Sequence, residues 1–330
     1  MKLVTIDDVR AAALRIRPHV VRTPLLASPR GDSERPLWVK PENLQPIGAF
    51  KVRGAFNAIA RAITRSSADS SADSSGASPA AVVAYSSGNH AQAVAYAAAA
   101  YGLVAYIVMP EETPGIKVRR TRAHGANVAL CAAGQREAVA ARIVAETGGV
   151  LIPPFDHPDV IAGQGTIGLE ICADLPSVRN VLIPVSGGGL ASGIGVALKA
   201  LCPGAKIFGV EPKVAADTAE GLIRGHRVEW PVEDRNRTIA DGLRSQPSDL
   251  TFAHLQQVLD GIITVSEDEI CSAVRELAYH DRLVSEPSGA VALAAYRQDA
   301  TPPGPTVVIL SGGNIEPQLL LSILADGLQY

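Results

Sequence analysis

One lysine of this chain lies where an amine could react rather than simply face water. Lys51 stands in a run of apolar and glycine residues that includes Gly48, Phe50 and Gly54. A lysine among such neighbours readily loses its proton, and a neutral amine can form a Schiff base. Lys40, the other lysine nearby, stands in an apparent strand ahead of a proline, and we expect it to be structural. The sequence therefore indicates covalent chemistry at Lys51.

A glycine-rich run predicts a binding site for an anion. Gly187, Gly188 and Gly189 follow the apolar run 181–185 and precede a helical pattern that continues to Leu201. Several backbone amides of such a turn can point at one anion, and the start of the helix adds its dipole. A phosphate group is the ligand that this pattern favours.

The same glycines allow a second interpretation. Gly187, Gly189 and Gly193 nearly match the spacing of a dinucleotide-binding fingerprint. Glu211 ends the next strand, where an acid that binds a ribose belongs. Ser192, however, stands where the fingerprint has its third glycine. A nicotinamide-dependent oxidoreductase is therefore a distant alternative.

Two other short runs also follow apolar strands. Ser87, Gly88 and Asn89 precede a helical pattern, and these residue types at a helix start can bind a carboxylate. Taken alone, they are equally typical of an ordinary helix cap, and His90 is typical of a hydrogen-bonded structural histidine. Ser311, which follows the last apolar strand, could by itself belong to a plain turn.

One short segment carries oxygen ligands that a hard cation would prefer. Glu211 and Asp217 flank Ala215, whose backbone carbonyl could serve as a third ligand. Such oxygen donors suit magnesium or calcium. Two acids on a surface loop usually have no such role, so the segment alone is a weak motif.

These motifs require a scaffold that brings the ends of several strands together. Apolar strand-like runs alternate with glycine turns and helical patterns, which predicts a mostly parallel sheet covered by helices on both faces. Open sheets of this kind bind ligands beyond the carboxyl ends of their strands, where the glycine-containing motifs fall. The runs are 37–40, 81–85, 104–109, 127–130, 181–185, 206–210 and 306–310.

The pattern predicts two domains. Residues 1–55 and 152–330 would form a large discontinuous domain, and 56–151 a small one with a cleft between them. Within the small domain, the segment 66–79 is rich in Ser, Ala and Asp and has no large apolar residue, so we expect a flexible surface loop.

The overall composition and charge of the chain exclude several classes of function. With 330 residues, of which 47% are hydrophobic and 19% charged, the chain can bury a sizeable core. A net charge of −3 and a pI near 6.2 give no sign of nucleic-acid binding. Four cysteines lack the spacing of a zinc site or a disulfide framework, and we expect no signal peptide and no membrane span. A cytoplasmic enzyme is the expectation.

Taken in order, these residues resemble the serine/threonine dehydratase and serine racemase group of pyridoxal phosphate enzymes. The resemblance runs nearly from end to end, and its most specific part is the segment around Lys51. It implies the tryptophan-synthase-β-like fold (fold type II): an α/β protein with two open, twisted, mostly parallel sheets flanked by helices, and an active site in the cleft between domains. The runs that carry it are 41–45, 51–55, 160–166, 239–242 and 286–289.

The resemblance also implies roles for individual residues. Lys51 would carry the cofactor and act as catalytic base, and Ser87 would be the second catalytic group. The expected cofactor contacts are Phe50, Lys51, Asn89, Ser186, Gly187, Gly188, Gly189, Leu190, Gly242 and Ser311. The expected substrate contacts are Ser87, Gly88, Asn89, His90 and Arg136. Glu211, Ala215 and Asp217 coincide with a divalent-cation loop, which would take Mg²⁺, Ca²⁺ or Mn²⁺.

The activity that the resemblance implies is loss of water and ammonia from a β-hydroxy amino acid such as L-threonine or L-serine. Residues 153–158 look more like dehydratases than racemases, so serine or hydroxyaspartate racemisation, with Ser87 as the second acid/base, is the alternative. β-Replacement with a thiol and a non-catalytic amino-acid-binding module are further alternatives. The resemblance also implies a homodimer. Which β-hydroxy amino acid is the substrate stays open.

Overall fold

The computed structural model describes residues 2–69, 79 and 81–326 of the chain. Its strands are β1 (Leu26–Ala27), β2 (Leu37–Pro41), β3 (Ala81–Tyr85), β4 (Val104–Pro110), β5 (Asn127–Cys131), β6 (Val150–Leu151), β7 (Asn180–Pro184), β8 (Lys206–Pro212), β9 (Gly261–Val265) and β10 (Thr306–Leu310). Its helices are α1 (Ile6–Ile16), α2 (Lys51–Asp69), α3 (Asn89–Ala100), α4 (Gly115–Ala123), α5 (Arg136–Thr147), α6 (Pro158–Asp174), α7 (Gly189–Leu201), α8 (Asp217–Arg224), α9 (Val232–Arg235), α10 (Asp249–Val258), α11 (Glu267–Glu276), α12 (Pro287–Tyr296) and α13 (Pro317–Ala325).

Within the described residues, the strands form two open sheets. The larger has the order β1-β2-β10-β7-β8-β9, and all neighbours in it are parallel except β1 and β2. The smaller has the order β5-β4-β3-β6 and is parallel throughout. Parallel strands need helical crossovers that cover the faces of the sheet. The predicted fold class is confirmed.

The predicted strands are present. Strands β1 and β9 were not among the predicted runs, although residues 262–265 of β9 are apolar or β-branched. The predicted loop 66–79 was wrong at its start, because α2 continues through Asp69. The Ser66 hydroxyl donates to the Ala62 carbonyl one turn earlier, which lets this serine stay in the helix. Residues 70–78 of that predicted loop lie outside the described residues.

The division into residues 1–55 with 152–330, and 56–151, stays a prediction. Two facts support it. The strands of the smaller sheet all come from the stretch 81–151. One hydrophobic cluster packs α3 and the first turns of α2 against that sheet, while two others cover the faces of the larger sheet. Helix α2 crosses the proposed boundary and connects the two units.

The larger sheet is built to be buried on both faces. Every residue of β7 and β10 is buried, as expected for central parallel strands with a continuous apolar sequence. On one face α12 is buried along its whole length, and on the other face α7 packs against α6. Among the described residues, none of the helices is long and apolar enough to cross a membrane.

Gly193 has a packing role that explains the near-match to a dinucleotide fingerprint. A Cβ atom at Gly193 would lie 2.2 Å from the Ile161 carbonyl oxygen and 2.5 Å from the Gly165 nitrogen. Such distances cannot occur, so glycine is required where α7 crosses α6. Gly193 therefore permits the close approach of two helices.

Candidate active site

Contacts between distant segments bring the predicted motifs together in the structure. The backbone amide of Phe50, next to Lys51, donates to the Ser311 carbonyl at 3.0 Å. The Lys51 amine reaches the Pro154 carbonyl, and Phe155 packs against Gly187. These contacts bring the start of α2, the turn before α7 and the loop after β10 into one cleft.

Lys51 presents its amine to this cleft from the first turn of α2. The Lys51 Nζ atom donates to the Pro154 carbonyl at 2.7 Å and lies 5.2 Å from the centre of the Phe50 ring. Desolvation of the amine lowers the pKa of Lys51 to about 8. At neutral pH this makes the reactive neutral amine roughly 300-fold more abundant than in an ordinary lysine.

Lys40 differs from Lys51 in having a carboxylate partner. Its amine lies 2.6 Å from Glu170 Oε2 and donates to the Thr23 carbonyl at 2.6 Å. Burial lowers the pKa of Lys40, but this ion pair opposes the loss of its proton. Among the described residues, no carboxylate is paired with Lys51. The structural role expected for Lys40 therefore agrees with its surroundings.

A buried ionic cluster anchors the turn of α2 that carries Lys51. The Arg53 guanidinium contacts Glu42 at 2.7 and 2.8 Å and Glu170 at 2.7 and 2.9 Å. It also donates to the Thr166 hydroxyl and the Val21 carbonyl. Arg53 and Glu42 are both 0% exposed, so these bonds form away from water and are strongly directional. They connect α2 to β2 and α6.

The turn between β3 and α3 offers donors to an anion. The Gly88 amide donates to the Ser86 hydroxyl at 3.2 Å, and α3 begins at Asn89. Amides in the first turn of a helix have no acceptor within the helix. No atom lies within 4 Å of the point where a Gly88 side chain would begin, so this turn faces open space. Among the described residues, none is hydrogen-bonded to the Ser87 hydroxyl.

His90 stays neutral in this site. Its Nε2 atom lies 2.8 Å from the Ile152 carbonyl, which can only accept a hydrogen bond, so Nε2 carries the proton. Burial, and to a lesser extent the charge of Lys51, lowers the pKa of His90 to about 3. His90 therefore contributes a neutral polar side chain to the site and does not transfer protons at neutral pH.

The turn at residues 186–190 has the form of an anion cradle. Gly188 adopts a left-handed conformation with φ +84°, and Gly189 begins α7. A Cβ at Gly187 would lie 2.2 Å from the Phe155 ring, so only glycine fits there. The Ser186 hydroxyl is already hydrogen-bonded at 3.0 Å to both the carbonyl and the amide of Ser245, which leaves only backbone amides for a ligand.

Ser311 and Gly242 share one partner. The buried Ser311 hydroxyl lies 3.4 Å from the Ser288 carbonyl, and the Gly242 amide donates to the Ser288 hydroxyl at 2.9 Å. Ser288 belongs to the predicted motif 286–289 at the start of α12. These contacts hold Ser311 at the end of β10 and Gly242 beside it.

Arg136 lies at the edge of the site and not within it. Its guanidinium carbon is 5.7 Å from the centre of the Tyr85 ring at the end of β3, and its Nε donates to Glu137 at 2.9 Å. Among the described residues, it has no hydrogen bond to the turn that contains Ser87. Its predicted contact with a substrate stays a prediction that requires the side chain to turn inward.

The predicted cation ligands form a buried acidic pair outside the cleft. Glu211 is 1% and Asp217 3% exposed. Glu211 accepts bonds from the Thr218 and Ala219 amides, but Asp217 Oδ2 has no partner among the described residues. Burial, with the charge of Asp217 adding, raises the pKa of Glu211 to about 8, and burial raises that of Asp217 to about 6. The binding of a cation by these two buried acids stays a prediction.

Sequence reasoning missed three contributors to the site. Phe155 lies against the glycine turn, although its run was noted only as typical of dehydratases. Glu286 accepts a hydrogen bond from Asn89 at 2.6 Å. Lys117 donates to Asp241 at 2.7 Å, and the charges of both residues act on Glu286. The glutamate stood inside a noted motif, whereas a lone lysine in a basic run gave no signal.

Comparisons with known proteins agree with this geometry. A family model described as pyridoxal-phosphate dependent enzyme matches residues 16–312. An L-threonine ammonia-lyase of Thermotoga maritima is 40% identical over 99% of this chain and 79% of its own length. An L-threo-3-hydroxyaspartate ammonia-lyase of Saccharomyces cerevisiae is 36% identical over 98% of both chains. The structure of maize serine racemase is 35% identical, covers 99% of this chain and 98% of its own, and superposes with a TM-score of 0.89.

Proposed function

The chain belongs to the family of pyridoxal-phosphate dependent enzymes, and from this premise we propose that it is an ammonia-lyase that acts on a β-hydroxy amino acid. L-Threonine or L-serine would give the corresponding 2-oxo acid and ammonia. The observation that carries the proposal is the Lys51 amine, which has a lowered pKa and, among the residues that the structure describes, no carboxylate partner. The family match favours this function over the dinucleotide alternative.

The residues present fit pyridoxal phosphate. The amides of residues 187–190 would hold its phosphate. The glycines of this turn leave the backbone amides uncovered, and a side chain at Gly187 would collide with the Phe155 ring. Lys51 would bind its aldehyde carbon, with Phe50 beside the ring. Asn89 would contact its phenolic oxygen and Ser311 its ring nitrogen. When bound, the cofactor supplies an electron sink for the charge that develops at Cα.

The chain itself supplies binding and proton transfer. The start of α3, with Ser87, Gly88, Asn89 and His90, would bind the substrate carboxylate, since free amides at a helix start favour an anion. Once the amino group of the substrate had replaced it on the cofactor, the free Lys51 Nζ would accept the proton from Cα, for which a pKa near neutrality is suited. Ser311, a neutral hydroxyl, would leave the ring nitrogen unprotonated, which favours elimination over transamination.

A serine or hydroxyaspartate racemase is the second candidate, and one observation favours it. Ser87 precedes Gly88, around which the structure leaves open space, and no described residue is hydrogen-bonded to the Ser87 hydroxyl. Racemisation needs an acid/base on the face of the substrate opposite Lys51, and a free hydroxyl could serve. The chain's similarity to maize serine racemase agrees with this possibility.

Three further properties belong to the proposal. Glu211, Asp217 and the carbonyl of Ala215 would bind a divalent cation, with Asp217 Oδ2 supplying an oxygen that is otherwise unsatisfied. Mg²⁺ is the first choice, with Ca²⁺ or Mn²⁺ as alternatives. The protein would act as a homodimer. It would work in the cytoplasm, an assignment supported by four free thiols, three of them buried.

A substrate panel tests the function. Purified protein would be incubated with L-threonine, L-serine and 3-hydroxyaspartate, and ammonia, 2-oxo acid and D-amino acid would be measured. The proposal predicts ammonia and 2-oxo acid in equal amounts, and Lys51→Ala is the inactive control. D-Amino acid without ammonia would instead establish the racemase, and Ser87→Ala should then abolish its formation.

A further inference from the structure

Asn89 is held by hydrogen bonds at both ends of its amide group. Its Nδ2 atom donates to Glu286 Oε1 at 2.6 Å, and its Oδ1 atom accepts from Asn314 Nδ2 at 2.8 Å. Glu286 is the N-cap residue of α12, and Asn314 follows β10 of the larger sheet. Residues next to these two elements therefore hold one side chain at the start of α3. An asparagine amide fixed in this way cannot rotate freely.

The direction of these bonds is determined by a main-chain carbonyl. Asn314 Nδ2 also donates to the Ile47 carbonyl at 2.8 Å, and a carbonyl can only accept. The Asn314 nitrogen must therefore face Ile47 and Asn89. The atom of Asn89 that meets this donor must be its oxygen, which leaves its nitrogen toward Glu286. The 2.6 Å bond from that nitrogen to Glu286 Oε1 agrees with the orientation that the Ile47 carbonyl determines.

Glu286 is enclosed by groups that keep it at this position. It is 7% exposed, and its own backbone amide donates to the Gly312 carbonyl at 3.1 Å. A Cβ at Gly312 would lie 2.3 Å from Glu286 Oε1, so the glycine makes room for the carboxylate beside Ser311. The charged groups that face Glu286 are Asp241 and Lys117, which are themselves paired at 2.7 Å.

The chain of bonds leaves one donor of Asn89 unused. An amide nitrogen carries two hydrogens, and Glu286 accepts only one of them. We infer that Glu286 and Asn314 are positioning residues that orient Asn89 so that its second N–H is offered to the phenolic oxygen of the bound cofactor. The inference rests on the proposed role of Asn89. A flipped amide would present its carbonyl oxygen there and repel a negatively charged phenolic oxygen.

Absorbance of the bound cofactor tests this inference, because its visible band depends on the charge of the phenolic oxygen. Asn314→Asp replaces the directing donor by an acceptor of the same shape. We expect the ratio of visible to near-ultraviolet absorbance at neutral pH to fall about tenfold, the effect of losing one hydrogen bond to a charged group. Asn43→Asp is the matched control. Asn43 donates to the Val284 carbonyl at 3.0 Å on a neighbouring loop, outside this chain of bonds.

A double substitution separates positioning from general damage. If Asn314 acts through Asn89, then Asn314→Asp should change the spectrum of wild-type protein but not that of Asn89→Ala. An equal change in both backgrounds would overturn the inference, as would an unchanged spectrum in Asn314→Asp protein that retains the cofactor. If Asn314→Asp does not fold, Asn314→Ala, which removes the directing donor without adding a charge, must give a shift in the same direction. A wild-type protein that stays colourless would refute the proposed function itself, whereas a coloured wild type with unchanged variants refutes only this inference.

Discussion

Arg53 gives the sharpest test of how the Lys51 helix is anchored. Its guanidinium makes four contacts of 2.7 to 2.9 Å with Glu42 and Glu170, and it is fully buried. Arg53→Met keeps the length and apolar character of the side chain but removes every donor. Burial alone would raise the pKa of Glu42, but Arg53 lowers it, so this carboxylate depends on the arginine for its charge.

The size of the effect follows from the charges that remain. The cluster holds two carboxylates and two bases, Lys40 being the second base, so it is neutral as a whole. Without Arg53, Glu42 loses its direct ion pair and keeps only the more distant charge of Lys40, whose amine contacts Glu170. Breaking one side of a buried ion pair costs about 3–5 kcal/mol. Because Arg53 contacts two carboxylates, we expect a loss of about 4–5 kcal/mol in the free energy of unfolding.

Urea denaturation of the wild type and two variants measures this loss. Arg10→Met is the control, because Arg10 pairs with Asp7 at 3.1 Å on the exposed face of α1. An exposed pair of this kind contributes less than about 1 kcal/mol. If Arg53→Met were as mild as Arg10→Met, the buried cluster would not anchor α2, and the explanation given for the placement of Lys51 would be wrong.

Three further predictions follow from the site. Gly187→Ala places a Cβ 2.2 Å from the Phe155 ring. It should therefore destabilise the protein by about 1–3 kcal/mol and weaken cofactor retention. Adding Phe155→Ala to the same chain should restore part of the stability and part of the cofactor retention. Mg²⁺ should raise the Tm of the wild type but not of Asp217→Asn, because the cation would satisfy two buried carboxylates. The rate of cofactor attachment, followed by stopped-flow absorbance, should rise about tenfold per pH unit up to the Lys51 pKa of about 8 and then level off, because only the neutral amine reacts.

Each of these predictions has a control or a contrary result. Gly204→Ala should be nearly neutral, since the nearest atom to its Cβ would be 3.7 Å away. A Tm that rises equally in wild type and Asp217→Asn would place the cation elsewhere. An attachment rate that does not change with pH below about 8 would show that the Lys51 amine is not the titrating group.

The local parts of this site could be predicted from the sequence. Apolar strands that are buried on both faces, such as β7, give continuous runs, and the glycine turn that follows β7 is adjacent in the chain. The start of α2 was likewise marked by its own neighbours. Strand β1, with two residues, gave no comparable pattern, whereas β9 has a short, mostly apolar run at 262–265 that was not predicted as a strand.

Contacts between distant residues could not be predicted in the same way. Glu286 and Asn89 are 197 positions apart, and their bond depends on how α12 meets α3. Phe155 was visible as an apolar residue, but only the fold shows that it excludes side chains from Gly187. Lys117 stands in a basic run, which by itself predicts only a solvated helix face, although this lysine pairs with Asp241. Asp241 belongs to a motif far along the chain.

The central claim is that the Lys51 amine binds the cofactor covalently. Borohydride reduction of the cofactor-loaded protein, followed by peptide mass spectrometry, would locate the linkage. We predict one pyridoxyl group on the peptide that contains Lys51, and none in Lys51→Ala. A group on Lys40 or on another lysine, or no group after the cofactor has been added, would contradict the account.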